Sequence, residues 1–564
     1  MEKIDPVTLE IIKNLLSSTA QEMGVTLQKS AHSSNIKTRL DFACAIFDEE
    51  IHNTAQALHI PALLGGLVNV VPTAIKEFGI ENIEQGDALI VNDPYRGGTH
   101  LPDVTLISPV FYRSKITGFV ANMAHHQDIG GRAPGGVPGD TTDIYQEGLT
   151  IPPTKLVVKG NINQEILTLL LANVRAPSER VGDYRAQIAA NRTGVRRIIE
   201  VIGKYGIKAF RAYEEELLSY TERRMRTALK EIPDGEYYGE DYLDDDGIGD
   251  DPVKVAARIT IKQGEVLIDL SESDRQTQGP MNCTWAPTLS ATSYIFKCLV
   301  DPDIPVNEGM FRPLHLHAPK GLVLNARPPA AIAGCWEVAM RVTDVLMKAL
   351  AEAVPERVCA AGKGIICNIC FGGIDPRDGR VYAFYETVGG GYGARPSKDG
   401  MEGVQYHLTN TQNAPVEELE TSYPVIIEKY ELIPDSDGAG RFRGGLGIRR
   451  DYRFENHSVV FSIVSDRAKI APWGLLGGLE GKKSRYVLNP GTSDEVSLSS
   501  KTFRRLKPGD LISVQTPGGG GYGDPKRRQR DKTLEDVRNG KISLRKAKET
   551  YRLSLDELRG LKDV

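Results

Sequence analysis

Apolar and polar residues recur along the chain with two periods, one typical of helices and one typical of strands. Residues 6 to about 32 repeat leucine and isoleucine at helical spacing, with Pro6 in the first turn and Asp5 placed to cap the free amides. Residues 60–78 and 164–229 show the same periodicity, whereas residues 39–48 and 88–91 are apolar runs typical of buried strands. The first 230 residues are therefore predicted to mix helices with strands.

The pattern changes after Asp234, where short strand-like runs lie between Gly and Asp turns. A helix is predicted near residues 335–353, and residues 431–523 are again rich in strands. The glycine run at 518–523 is typical of a hinge, and the charged tail after it has helical character. The predicted fold class is multidomain α+β, with a mixed N-terminal region, β-rich domains and a helical C-terminal tail. The predicted domains are residues 1–230, 231–430, 431–524 and 525–564.

Composition narrows the class of protein. The 564 residues are 40% hydrophobic and 25% charged, as in ordinary globular proteins. With 69 basic and 74 acidic residues the formal charge is −5, so nucleic acid is not expected as a partner.

No run approaches the roughly 20 apolar residues of a membrane helix, and the N-terminus lacks a signal-peptide pattern. The odd number of cysteines, 7, argues against a disulfide framework. We therefore expect a cytoplasmic protein with no membrane partner.

Two neighbouring segments combine histidine with aspartate in a pattern typical of metal ligands. His100 and Asp103 are three residues apart across a Leu-Pro turn, a spacing that lets both side chains converge on one ion. Strand-like runs at 104–110 and 118–123 predict an antiparallel hairpin that returns His125 beside them. Two imidazoles and a carboxylate suit Zn²⁺, Mn²⁺ or Fe²⁺. This pattern predicts a site for one divalent metal.

Other residues extend or weaken this hypothesis. Asp41 is a candidate fourth ligand, because a carboxylate between apolar neighbours is costly to bury without a partner. His126 and Asp128 are candidates for orienting the ligands. The alternative is that these histidines cap loops and bond backbone carbonyls. No G-x-x-x-x-G-K-[ST] motif is present, so the sequence predicts no ATP site of the P-loop kind in this chain and no cofactor-binding residues beyond the metal ligands.

Six separate segments carry a family resemblance. They are NDPYRGGTHLPDVTLISPVF at 92–111, AHHQDIGG at 124–131, IYQEGLTIPP at 144–153, NEGMFRPL at 307–314, NARPPAA at 325–331 and GRFRGGLGIRRDY at 440–452. In this order they resemble the hydantoinase B/oxoprolinase family, from residue 6 to about residue 524. The family includes beta subunits of ATP-dependent N-methylhydantoinases and lactam-opening enzymes, the second half of 5-oxoprolinase, and subunits of acetone and acetophenone carboxylases.

The resemblance implies an enzyme built from two kinds of subunit. A hydantoinase A-like partner would use ATP-Mg to phosphorylate a cyclic amide such as a hydantoin, oxoproline or a lactam, in a heterodimer or an A2B2 heterotetramer. This chain, as the beta subunit, would hold one divalent metal and complete the ring opening. By the same resemblance, the metal ligands fall on His100, Asp103 and His125, with Asp41 as a fourth. The base that takes the remaining proton would be His126, Asp128 or Glu147.

Two other functions stay open beside the hydrolase. One is a subunit of an ATP-dependent ketone carboxylase of the acetone or acetophenone type, which would use the same metal on an enol phosphate and CO₂. The other is a non-catalytic scaffold subunit whose metal is structural and closed by four protein ligands. The compact tail after Asp524 favours the hydrolase. Ring opening of a lactam against bicarbonate incorporation into a ketone distinguishes the two enzymes.

Overall fold

The computed structural model describes residues 4–554 and 556–557, and its N-terminal part is an antiparallel sheet with helices on both faces. The elements in chain order are α1 (Pro6–Ser30), α2 (Ser34–Lys37), β1 (Phe42–Asp48), β2 (Asn53–Gln56), α3 (Pro61–Phe78), β3 (Ala88–Val91), β4 (Asp103–Tyr112), β5 (Lys115–His125), β6 (Thr154–Val158), β7 (Asn161–Ile162), α4 (Gln164–Ala172), α5 (Pro177–Tyr205) and α6 (Ile207–Leu229). The strands lie in the order β2-β1-β5-β4-β3-β6-β7. The predicted mixture of helices and strands is confirmed.

Strand β1 lies between two helical layers. Ala45 and Phe47 belong to the hydrophobic core that contains α3. Cys44 and Ile46 belong to the core that contains residues of α1 and α5. Successive side chains of a strand point to opposite faces, so this alternation places one helical layer on each side of the sheet. Because both faces are covered, the strand ends and their loops are the parts left to form a site.

The helical segment predicted at 164–229 is three helices in the structure. The Asn163 side chain caps α4 by accepting hydrogen bonds from the backbone amides of Glu165 and Ile166. Helix α5 ends at Gly206, whose φ of +81° favours glycine, and the chain turns there into α6. Helix α5 packs along α1 and against β4 and β5. The long α5 helix therefore lies over the strands that carry the predicted metal ligands.

The central part is a second sheet with two helices. Its elements are β8 (Gly235–Leu243), β9 (Val253–Lys262), β10 (Glu265–Asp269), α7 (Trp285–Val300), β11 (Leu314–His317) and α8 (Cys335–Leu350). The strand order is β11-β10-β9-β8. Helix α8 packs on β8 and β9, and α7 packs between α3 and α8, which joins the second sheet to the first. None of the helices in the described ranges is long and apolar enough to cross a membrane.

The C-terminal part contains two further sheets. Its elements are β12 (Asn368–Ile374), β13 (Val381–Thr387), α9 (Val416–Ser422), β14 (Ile426–Leu432), β15 (Ile448–Arg453), β16 (Val459–Val464), β17 (Arg485–Leu488), β18 (Val496–Leu498), β19 (Lys501–Leu506), β20 (Leu511–Gln515), α10 (Arg530–Arg538) and α11 (Leu544–Glu549). The strand orders are β13-β12-β16-β19 and β14-β15-β20-β17-β18. The multidomain α+β class and the helical character of the tail are confirmed. The four domain ranges stay predictions, and β12 pairs with β16 across the predicted boundary at residue 430.

The glycine run at 518–523 is not the hinge that its composition predicts. Its backbone is packed between other glycine-rich segments, and the amides of Gly519, Gly520 and Gly521 donate to carbonyl oxygens of residues 445, 361 and 479. A side chain at Gly519 would collide with the backbone of Tyr392. Glycine is needed here because the backbone of the run lies directly against the backbones of neighbouring segments. The segment is therefore buried and hydrogen-bonded.

Candidate metal centre

Two adjacent strand ends bring two histidines and one aspartate together. Strand β4 begins at Asp103 and β5 ends at His125, and these two residues are directly paired in the antiparallel hairpin. His100 lies in the turn before β4, where its carbonyl oxygen accepts a hydrogen bond from the Asp103 amide at 3.0 Å. One ligand atom from each side chain lies within 4.8 Å of the others. The hairpin predicted from the sequence therefore places these three side chains together.

The contacts among the three side chains are close but lack hydrogen-bond geometry. His100 Nδ1 lies 2.7 Å from Asp103 Oδ2, and His125 Nδ1 lies 3.3 Å from Asp103 Oδ1. All three residues are at most 2% exposed. Within the described chain, His100 Nδ1, Asp103 Oδ1 and His125 Nε2 have no hydrogen-bond partner. Leaving buried polar atoms unpaired is costly, so the donor set fits a cation held between two imidazoles and a carboxylate.

The electrostatics agree with this donor set. Burial alone would raise the pKa of Asp103, but the neighbouring His100 and His125 hold it below its usual value. Burial lowers the pKa of His125. These shifts favour an ionised carboxylate beside a neutral imidazole, which are the protonation states that bind a metal.

Neighbouring side chains fix the orientation of the three groups. Thr99 Oγ1 donates to Asp103 Oδ2 at 2.5 Å. The Tyr385 ring of β13 stacks on His125 at 4.3 Å between centroids. The Trp336 ring, at the start of α8, lies edge-on to His100 at 6.0 Å. Sequence reasoning missed these three residues; Thr99 stands next to His100 in the same motif, whereas Tyr385 and Trp336 come from distant segments without a local signal.

Asp41 lies beside the group but is not one of the converging atoms. Its backbone carbonyl accepts a hydrogen bond from the His125 amide at 3.0 Å. Its side chain lines the same small cavity as Asp103 and His125. Burial raises the pKa of Asp41, which favours its protonated form, although the charges of His125 and Arg39 act in the opposite direction. A role for Asp41 as fourth ligand stays a prediction.

Two of the three predicted bases point away from the metal ligands. His126 follows His125, so its ring lies on the other face of the strand, with Nε2 3.0 Å from Gln187 Oε1. Both carboxylate oxygens of Asp128 accept hydrogen bonds, from the amides of Gly130 and Gly135 and from Arg175. These contacts organise the loop that follows β5. The roles of His126 and Asp128 as bases stay predictions that their contacts do not favour.

Glu147 is the third predicted base, and the charge of His100 acts on the pKa of its carboxyl group. Burial raises the pKa of Glu147 to about 7, although three hydrogen-bond donors act to lower it. Those donors are the amides of Ile332 and Ala333 and the Thr141 hydroxyl. A carboxyl group with a pKa near neutrality can both hold and release a proton at physiological pH.

The buried two-histidine, one-carboxylate group on a multidomain α+β scaffold defines this chain as a candidate metal-binding protein. The chain belongs to the hydantoinase B/oxoprolinase family, whose model matches residues 5–525. The predicted family is thereby confirmed.

Individual relatives match over almost the full length. An uncharacterised protein of Methanocaldococcus jannaschii is 42% identical over 98% of this chain and 96% of its own. Caprolactamase subunit beta of Pseudomonas jessenii is 34% identical over 99% of this chain and 97% of its own. A chain in the crystal structure of that organism's ATP-dependent caprolactamase superposes with a TM-score of 0.91 at 31% identity, covering 100% of this chain and 99% of that chain.

A nucleotide-free acetone carboxylase structure is also similar in fold. It matches with a TM-score of 0.91 at 19% identity, over 98% of this chain and 81% of that chain. At this identity the likeness concerns the fold alone.

Proposed function

We propose that this chain is the metal-holding beta subunit of an ATP-dependent hydrolase of cyclic amides. The observation that carries the proposal is the buried group of His100, Asp103 and His125, whose unpaired atoms fit one divalent ion. The similarity to caprolactamase subunit beta over 99% of the chain supports the reaction class. Zinc, manganese and iron all suit this donor set.

The proposal divides the reaction between two subunits. A hydantoinase A-like partner binds ATP-Mg and phosphorylates the amide oxygen, which creates a leaving group on an otherwise unreactive ring. This chain receives the activated ring and completes its opening. The complex is a heterodimer or an A2B2 heterotetramer in the cytoplasm.

The residues of the site have separate tasks in this scheme. His100, Asp103 and His125 hold the ion, which when bound supplies Lewis acidity and lowers the pKa of water at the site. Thr99 fixes the Asp103 carboxylate, and Tyr385 holds the His125 ring in place while its bulk excludes solvent. Glu147 takes up the remaining proton, because burial brings its pKa to about 7.

The test uses the chain purified together with its ATP-binding partner. We expect about one equivalent of divalent metal for each copy of this chain and ATP-dependent opening of a lactam or hydantoin. The His100→Ala and Asp103→Asn variants should lose both the metal and the activity while they still bind the partner. His52→Ala is the matched control, because His52 is partly exposed, pairs with Asp48 and lies outside the site.

Other outcomes would point elsewhere. Incorporation of labelled bicarbonate into acetone, without ring opening of any cyclic amide, would replace the hydrolase by a ketone carboxylase. Full ring-opening activity in the metal-free Asp103→Asn variant would remove the metal from the mechanism.

A further inference from the structure

A chamber of about 220 Å³ lies beside the metal centre, outside the ligand group itself. Apolar residues of α3 and of the loop after α7 line much of it, and α7 contributes two serines, a tyrosine, a lysine and a cysteine. Its lining residues are Leu58, His59, Pro61, Leu64, Gly65, Ser290, Ser293, Tyr294, Lys297, Cys298, Pro302, Val306, Met310, Phe311 and Asn410.

The chamber and the metal cavity share two thin walls. In the first wall, at residues 58–64, His59 and Pro61 line the chamber, whereas Ile60 and Ala62 line the metal cavity. In the second wall, Asn410 lines the chamber, whereas its neighbours Thr409 and Thr411 line the metal cavity. Because adjacent residues face opposite spaces, each wall is about one residue thick.

The metal cavity is too small for the substrate ring. Its volume is about 20 Å³, which holds about one water molecule. Even a five-membered lactam is several times larger, so its ring must lie outside that cavity. The chamber is large enough for a small ring and adjoins the metal cavity through both walls.

We propose that this chamber binds the ring of the cyclic amide and selects rings that carry no carboxylate. The inference rests on the proposed function and adds the substrate class to it. The walls favour an apolar ring because burying apolar surface is favourable and burying an unpaired carboxylate is costly.

The chamber has little free positive charge to offer a carboxylate. Lys297 is the one lysine or arginine among the lining residues that the structure describes. Its Nζ already donates to the carbonyl oxygens of Pro302 and Ile304, at 2.7 Å each. Burial lowers the pKa of His59 to about 4, so that its imidazole is neutral at pH 7. Two of the three N–H groups of Lys297 are thus occupied, so an added carboxylate would meet this one cation with a single N–H left to donate.

The same neutral imidazole suits an amide. His59 Nδ1 is buried and has no hydrogen-bond partner in the described chain. Once the ring turns this nitrogen toward the chamber, it can accept a hydrogen bond from an amide N–H or donate one to an amide oxygen, depending on its tautomer. The Asn410 side chain supplies a second polar group on the opposite wall. The chamber thus combines apolar walls with a few polar atoms, as is usual for sites that bind small apolar rings.

The first experiment compares two pairs of substrates whose members differ only in the carboxylate. The complex with its ATP-binding partner is assayed on 2-pyrrolidinone and on 5-oxoproline, and on 5-methylhydantoin and hydantoin-5-acetic acid. We expect kcat/KM to be at least about tenfold higher for the neutral member of each pair. Equal or reversed preference would overturn the chamber's selectivity while leaving the hydrolase function intact.

The second experiment measures binding without turnover. Saturation-transfer NMR on the metal-loaded complex is expected to detect 2-pyrrolidinone but not 5-oxoproline. Ser293→Leu fills the chamber from α7 and should abolish this signal while metal content stays unchanged. Ser219→Leu makes the same change on α6, outside the chamber lining, and should leave the signal intact. Persistence of the signal in Ser293→Leu would show that the ring binds elsewhere.

A gain-of-function variant gives a third measurement that is independent of folding defects. Leu58 is 82% exposed at the rim of the chamber, so Leu58→Arg adds a cation without disturbing the core. We expect the ratio of 5-oxoproline to 2-pyrrolidinone binding to rise about tenfold. An unchanged ratio would contradict the inference. If none of the four rings is opened yet the neutral rings bind as expected, the proposed reaction fails and the chamber assignment stands.

Discussion

At the scale of single residues, the sequence predicts the cluster of two histidines and one aspartate because all three lie within one turn and one hairpin. His100 and Asp103 are close in sequence, and a single hairpin returns His125 to them, so three positions follow from one turn and one register. Tyr385 and Trp336 could not be found in this way. They reach the site from β13 and α8, and contacts between distant segments leave no periodic signal in the sequence.

Thr99 provides a conservative test of the metal centre. Its hydroxyl donates to Asp103 Oδ2, and Thr99→Val removes that hydrogen bond while keeping the shape of the side chain. We expect metal affinity to fall about 10–100-fold, as is usual when a group that orients a ligand is lost. Competition with a chelator of known affinity measures the change. Thr105→Val is the matched control, because the buried Thr105 hydroxyl has no hydrogen-bond partner in the described chain; an equal loss in both variants would refute the role of Thr99.

At the scale of elements, periodicity predicts α5 as a helix but not the polar row that it buries. Gln187 Nε2 donates to the carbonyl of Val104 on β4 and to Asn122 Oδ1 on β5. Asn191, one turn further along, donates to the carbonyl of Leu106. Sequence patterns usually assign such residues to the solvent face, and only the bonds that they make to the strands explain their burial.

Asn191 tests whether these bonds hold the helix on the hairpin. Its Nδ2 donates to Leu106 O and Ser108 Oγ, and its Oδ1 accepts from Asn122. Asn191→Leu leaves these partners buried and unpaired, so we expect the free energy of unfolding to fall by about 1–3 kcal/mol. A lower midpoint in thermal unfolding, at constant metal, measures the loss. Asn14→Leu, on the exposed side of α1, should change stability by no more than about 0.5 kcal/mol.

At the scale of the whole molecule, the sequence predicts the fold class and not the pairing between distant strands. Strands β12 and β16 are each readable as apolar runs, yet their pairing spans the predicted boundary at residue 430. The expectation of a hinge at 518–523 was wrong for a related reason. A glycine run has the same composition whether it is mobile or packed between backbones, and only the surrounding chain decides which applies.

The tail is attached to the rest of the molecule by buried ion pairs. Asp536 of α10 contacts Arg443, outside the tail, at 2.9 Å, and Arg528, within the tail, at 2.6 Å; Arg528 in turn contacts Asp399 outside the tail at 2.7 Å. Both arginines are almost fully buried. Asp536→Asn leaves these charges without that partner, so we expect the tail to detach more often. Limited trypsin digestion should then cut after residue 525 several times faster than in the natural protein. Asp531→Asn, exposed in the first turn of the same helix, should not change the rate.

A buried charge cluster joins the second sheet to the C-terminal strands. It consists of five aspartates and three buried cations, which are Asp241, Asp244, Asp245, Asp344, Asp466, Arg341, Arg467 and Lys501. The partly exposed Lys469 pairs with Asp245 at the edge of the cluster. Negative groups exceed positive ones, and burial makes the excess costly. Burial raises the pKa of Asp344 to about 7 and that of Asp244 to about 6, and in each case a neighbouring aspartate adds to the effect.

The raised pKa of Asp344 predicts how stability changes with pH. The unfolded carboxyl has its ordinary pKa of 3.8, so between this value and about 7 the folded state binds the proton more tightly. Its contribution is therefore present at low pH and is lost as pH rises toward 7. We expect Asp344→Asn to flatten the fall in unfolding midpoint between about pH 4 and about pH 7, measured at constant metal. Asp375→Asn is the control, because pairing with Arg377 lowers the pKa of Asp375 and moves its titration below this range. Parallel pH profiles for the natural protein and Asp344→Asn would mean that Asp344 stays ionised throughout, with its charge balanced by Arg341 and Arg467.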